Sequence, residues 1–300
     1  MAYKFYKIFL ALLFFTITGF IFFPHTAKSD NQLPIINVYV SSDNLMQADT
    51  LLVVVKNETS KITGKLGTVK MHFLRNEDNK DWVSVVGMPV NKKPGNYKLL
   101  ISVLGKQPFE KNVQISKRNF PITELVITKE LLKKGYTAKK IIKNIEKVEN
   151  KQLNKILNIL TPVAYFTKPF INPLSEINVV GDFGDIRQTK SYKIQHLGVD
   201  LKAPLNTPVY AVNDGKVVFI KSLPDYGNTI IIDHGLGIYS LYLHLSEFKV
   251  KKGKIVKQQD IIGLSGDTGY AIGPHLHFSI KVRGAALDPL GFIKTTQTDW

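Results

Sequence analysis

Apolar positions change rhythm along the chain. From Ile8 to Phe23 they are nearly continuous, broken only by Thr16, Thr18 and Gly19. From Leu33 to about Lys117 they fall into short runs. Ile36, Val38 and Val40 alternate with polar neighbours, and Leu51 to Val55 and Val83 to Val86 are rich in β-branched residues. Pro94-Gly95 then introduces Tyr97, Leu99, Ile101 and Val103 at period two. Such runs fit pleated, half-buried strands, and turn residues part them at the spacing of a β-sandwich. We read residues 33–118 as an immunoglobulin-like β module. Over residues 119–161 the period lengthens. Ile141, Ile142, Ile145, Val148, Leu153, Ile156, Leu157 and Leu160 recur at helical spacing. Thr137 offers an N-cap and Thr161-Pro162 closes the helix. Residues 162–293 return to strands. There Tyr239, Leu241, Leu243 and Leu245 should face one way, and Ser240, Tyr242 and His244 the other. The expected fold is mainly β, with a helical connector between two β regions.

The apolar run at the start has a direction. Lys4 and Lys7 precede it and no acidic residue occurs before Asp30. That is an export segment over residues 1–29. Its length favours an uncleaved signal anchor in the inner membrane, and His25-Thr26-Ala27 is a poor small-residue cleavage site. A cleaved signal is the alternative. Either way the body works outside the cytoplasm, in the periplasm or envelope, which argues against nucleic acid as a partner.

Charge and composition narrow the chemistry. The chain carries 40 basic and 24 acidic residues, a net of +16. Residues 1–160 hold 25 of the basic and 12 of the acidic groups, so +13 of the excess lies in the front half. Within it, Lys129 to Lys155 has nine lysines against three glutamates, a basic amphipathic connector suited to packing on a neighbouring domain. The chain has no cysteine. Disulfides, thiolate nucleophiles, Fe–S clusters and Cys-ligated zinc are excluded, and any metal must be held by His and carboxylate.

There are seven histidines. His25 lies in the export segment. His72, between Met71 and Phe73, and His234, in the Asp233-His234-Gly235 hairpin signal, read as structural. The others sit in chemical contexts. In His196-Leu197-Gly198-Val199-Asp200 the two polar groups would lie ~13 Å apart on a straight strand, and Gly198 can supply a bend. In His275-Leu276-His277-Phe278 both rings share one strand face, ~7 Å apart. One can then ligate a metal while the other serves as a base. Gly263-Leu264-Ser265-Gly266-Asp267-Thr268-Gly269 lacks the lysine and following helix of a phosphate loop, so it reads as a tight loop delivering the His275 strand. His196, Asp200 and one of His275 or His277 converge as two His and one carboxylate, the donor set of a catalytic zinc site. No His-Glu-x-x-His occurs.

Phe183-Gly184-x-x-Arg187, His196 to Leu201, Pro208 to Gly215, Gly227-Asn228 to Gly235, Tyr242 to Leu245 and Gly263 to Phe278 occur in that order. Over residues 181–290 the chain thereby resembles the lysostaphin-type (LytM-type) zinc endopeptidases of peptidoglycan. The resemblance implies an antiparallel β-sheet metallopeptidase domain with a narrow groove. It implies one Zn²⁺ per chain held by His196, Asp200 and His277, with His244 and His275 as catalytic histidines. It also implies hydrolysis of peptidoglycan cross-links by a zinc-activated water. Asn206 stands where the family often has glycine, and a local loop difference is expected. Some relatives have lost their ligands and act as activators of cell-wall amidases, an alternative that the five intact site positions oppose. The tether and the basic front half suit a periplasmic enzyme opening D-Ala–diaminopimelate bonds in its own wall.

Overall fold

The strand-like runs of the front region fold into two sheets around one core. Val38–Val40, Thr50–Val55, Trp82–Gly87 and Leu74–Arg75 form the first, in that order. Asn44–Met46, Phe109–Ser116, Gly95–Val103, Ile62–Leu66 and Val69–Lys70 form the second. Leu51, Val53 and Val55 from one sheet meet Leu99, Ile101, Val113 and Ile115 from the other, all fully buried. The period-two pattern is the cause, since alternate residues of each strand share a face. This computed structural model describes residues 33–76 and 80–297. The export segment at residues 1–29 lies outside them, and among the described residues no helix is long and apolar enough to cross a membrane.

The second β region is built on an eight-stranded sheet. Its order is Val179–Gly181, Val199–Lys202, His275–Val282, Ile238–Leu245, Gly227–Gly235, Gly215–Leu223 and Ile255–Val256, with Ala285–Leu287 paired to the His275 strand. Every pairing is antiparallel. One face, with Tyr242, Leu276, Phe278 and Ile280, joins the main core. The other, with Tyr239, Leu241 and Leu243, is covered by Leu153 and Leu157 of the connector. The chain is mainly β, as its pattern implied.

The front sheets are not tethered loosely. Leu52, Val54 and Val83 belong to the main core of the second region. Asp288 accepts from the Arg118 guanidinium at 3.3 Å, and Arg118 also pairs with Asp49. From Leu33 onward the chain is one compact unit.

The connector differs from its expected form at both ends and in the middle. Ile122–Glu124 is a strand pairing in parallel with Ile186–Gln188. Lys129–Lys133 is a separate helical turn. The main helix begins where expected, with Thr137 Oγ1 accepting the Lys140 N–H, and ends at Leu157. Between Ile145 and Glu149 it widens to a π-helical turn. The inward stripe there runs Ile145, Glu149, Leu153, Leu157, while Val148, expected inside, is 52% exposed. Glu149 is fully buried and accepts the backbone N–H groups of Asp225 (2.7 Å) and Tyr226 (3.2 Å). Two accepted hydrogen bonds explain why a carboxylate occupies a core position.

Candidate metal centre

His196, Asp200 and His277 come together although 81 residues separate the first from the last. The register does this: Asp200 lies directly opposite His277 in the Val199–Lys202 and His275–Val282 pairing. Three ligand atoms then meet in a triangle. His196 Nε2 lies 3.0 Å from Asp200 Oδ1 and 2.9 Å from His277 Nδ1, and His277 Nδ1 lies 2.8 Å from the same oxygen.

The partners of the remaining nitrogens assign the protons. His196 Nδ1 is 2.7 Å from the Asp182 carbonyl, which only accepts. His277 Nε2 is 3.0 Å from Ser279 Oγ, whose hydrogen goes to the Leu197 carbonyl at 2.9 Å. Both outer nitrogens therefore carry N–H, and both inner ones present lone pairs. Asp200 Oδ2 accepts from Arg187 Nη2 at 2.8 Å, leaving Oδ1 to face the rings. Three acceptors this close repel unless a proton or a metal cation lies among them. Burial pushes His277 down to about 4, which opposes the proton. A borderline cation such as a transition metal fits an N, O, N donor set with every outer nitrogen already anchored.

The other two histidines border this group. His275 Nε2 lies 3.7 Å from Asp200 Oδ1, and its Nδ1 donates to the Gly273 carbonyl at 2.8 Å. The His244 and His275 ring centroids are 4.8 Å apart. His244 Nδ1 donates to the Thr268 carbonyl at 2.8 Å. Burial, then the charges of His275 and His277, push His244 down to about 3. With Nδ1 of each ring held by a carbonyl, both histidines line an open groove of about 1100 Å³.

His244 reaches the groove by a route the alternation did not foresee. Between the pairs Ile230–Tyr242 and Asn228–Leu245, one strand advances two residues and the other three. The extra residue falls beside His244, whose φ is +61°. That is a bulge in the left-handed region, rare without glycine and characteristic of functional sites. Strict alternation would have sent His244 into the core with Tyr242. Instead Leu243 and His244 both line the groove and Leu245 joins the core.

The chain bends at Gly198, as expected, and the glycine has a second role. A Cβ there would stand 2.3 Å from His277 Nε2 and 2.4 Å from Ser279 Oγ. The residue is glycine because the His277 ring packs onto it. Gly198→Ala is expected to weaken metal affinity about tenfold or more, as loss of ligand support does. Chelator competition on protein with unchanged circular dichroism checks it.

Asn206 has φ +66°, where glycine is at ease, and its Oδ1 accepts from Ser246 Oγ at 2.7 Å. His234 is the histidine of this domain that stays outside the group. It lies in the strand just before the turn rather than in it, fully buried, donating to the Asp214 carbonyl and accepting from Ser240 Oγ. Burial pushes it down to about 4. A depressed histidine contributes stability above its unfolded value near 6.5 and loses it as pH falls toward 4. Thermal melts of His234→Gln should therefore show a shallower loss between pH 6.5 and 4 than the parent. Equal slopes would contradict this.

Arg187 and Ser279 were not foreseen as site residues. Ser279 could have been found, two positions past His277 on the same strand face. Arg187 stands on a strand of a separate three-stranded sheet and meets Asp200 by its side chain alone, a contact no local pattern carries.

Residues 194–289 match Peptidase family M23. The chain is similar to the peptidoglycan DD-endopeptidase ShyA of Vibrio cholerae, 45% identical over 95 residues, covering 32% of this chain and 22% of that protein. It is also similar to the DD-carboxypeptidase/endopeptidase Mpg of Neisseria meningitidis, 40% identical over 95 residues, with the same coverages of 32% and 22%. The chain spans under a quarter of the length of these two relatives. Among solved structures, that of a putative peptidase M23 from Pseudomonas aeruginosa aligns at TM-score 0.55 and 25% identity, covering 81% of this chain and 92% of that one.

Proposed function

We propose, from the premise that residues 194–289 are a Peptidase family M23 domain, that this protein is a zinc-dependent endopeptidase of peptidoglycan cross-links. One observation carries the reading. Three acceptor atoms converge with no proton assigned between them, beside two further histidines that open onto a groove. Peptidoglycan comes from the relatives, which are named for peptidoglycan and its DD-peptide bonds.

His196, Asp200 and His277 would hold one zinc, with Arg187 orienting Asp200 through its second oxygen. Zinc supplies Lewis acidity toward water and a peptide carbonyl. The chain's own groups handle the proton. His275, the nearer of the two free rings, accepts it from the attacking water at Nε2. Once protonated it offers an N–H to the oxygen that gains charge, then returns the proton to the leaving amine. His244, kept neutral by burial, orients the water by accepting a hydrogen bond from it.

We place the protein in the envelope, exported by residues 1–29 and held at the inner membrane if that segment is uncleaved. The module over residues 33–118, read as immunoglobulin-like, and the connector over 119–161 would position the peptidase domain of residues 162–293 on the wall. The bond we assign is D-Ala–diaminopimelate. Cross-linked dimer muropeptides incubated with the zinc-loaded protein should yield monomers with a newly free diaminopimelate amine. Intact dimers beside a cut pentaglycine substrate would overturn that assignment and leave the metal chemistry standing.

A further inference from the structure

The groove face of the His275–Val282 strand continues past the metal centre. Positions 275, 277, 279 and 281 share that face, and His275, His277, Ser279 and Lys281 all line the groove. Asn154 and Leu157 of the connector helix line it at the Lys281 end. Ser279 is occupied with His277 and Leu197, so it offers the lysine nothing. The residue paired across the sheet is Tyr239, whose hydroxyl donates to the Ile159 carbonyl at 2.7 Å. No carboxylate among the described residues stands close enough to compensate the ammonium, and burial alone pushes it down to about 8. A partly buried lysine is ordinarily paired. An uncompensated one, turned into a groove that also holds a reactive centre, is a receptor for an anion.

The spacing says where that anion sits. Lys281 is four residues beyond His277, ~13 Å along the strand. A peptide lying extended in the groove advances at the same rate. We propose that Lys281 is a substrate subsite, its ammonium receiving a carboxylate carried three or four residues from the bond held over His196, Asp200 and His277. The proposal rests on the endopeptidase reading for the identity of the peptide. It adds that the groove selects stem peptides with free carboxylates over amidated ones.

The test is calorimetric binding of the uncross-linked stem tetrapeptide L-Ala–γ-D-Glu–diaminopimelate–D-Ala to the zinc-loaded full chain. A second peptide has its carboxyls converted to amides. The parent protein should prefer the carboxylate form about tenfold, and Lys281→Met should abolish the preference by weakening that form alone. Lys281→Arg should restore it, and zinc content should stay the same in all three. In dimer hydrolysis Lys281→Met should raise KM with kcat retained. Equal affinity of the parent for both peptides, or an equal loss for both in Lys281→Met, would overturn the subsite. Protein that discriminates the two tetrapeptides yet leaves dimers uncut would instead sink the endopeptidase reading and leave the subsite in place.

Discussion

Alanine at His196 or Asp200 is expected to remove zinc and activity together. Each substitution deletes one corner of the triangle in which His196 Nε2, Asp200 Oδ1 and His277 Nδ1 lie 2.8 to 3.0 Å apart. Two ligands on one side of an ion do not hold it against chelators, and neither residue has a neighbour that can substitute. His275 Nε2 is oriented by Gly273 and stays 3.7 Å from Asp200 Oδ1. Asp200→Ala has a further cost, since it leaves the Arg187 guanidinium beside the site with only the longer 3.9 Å contact to Asp185. Metal assistance is worth several kcal/mol of barrier, so turnover should fall roughly a thousandfold or more. Arg187→Ala should do less, weakening zinc binding about 10- to 100-fold through loss of ligand orientation. Elemental analysis of purified variants, with chelator competition, reads both. Stoichiometric zinc in His196→Ala would break the ligand assignment.

His275→Ala and His244→Ala should behave in the opposite way, keeping zinc and losing turnover. Both rings line the groove with Nδ1 committed to the carbonyls of Gly273 and Thr268. A positioned proton acceptor contributes about 10²- to 10⁴-fold, so kcat should drop within that range while KM changes little. The contrast with His277→Ala is the sharpest part. If His275→Ala lost the metal and His277→Ala kept it, the roles within the His-x-His pair would be reversed.

Period-two alternation made much of this legible. Leu276 and Phe278 are fully buried beneath the two histidines, as the pattern required. The convergence of Asp200 and His277 could be anticipated from residue types, yet its cause could not. It depends on a register between strands 77 positions apart and on the bare surface of Gly198. His244 was named as a candidate for reasons unrelated to how it arrives, because a bulge with a left-handed non-glycine residue leaves no mark in hydrophobic alternation. Glu149 was hidden similarly. A π-helical turn shifts the inward stripe from Val148 onto it, and a carboxylate inside a core has no local signal. The Ile122–Glu124 strand was lost inside a helical segment because three residues are too few to establish a period.

Zinc titration of chelated protein on purified sacculi tests the central claim most directly. Released muropeptides with opened cross-links should be absent from the metal-free protein, rise in proportion to added zinc and level off at one zinc per chain. Release that is indifferent to chelation, or intact cross-links with zinc-replete protein, would contradict the account.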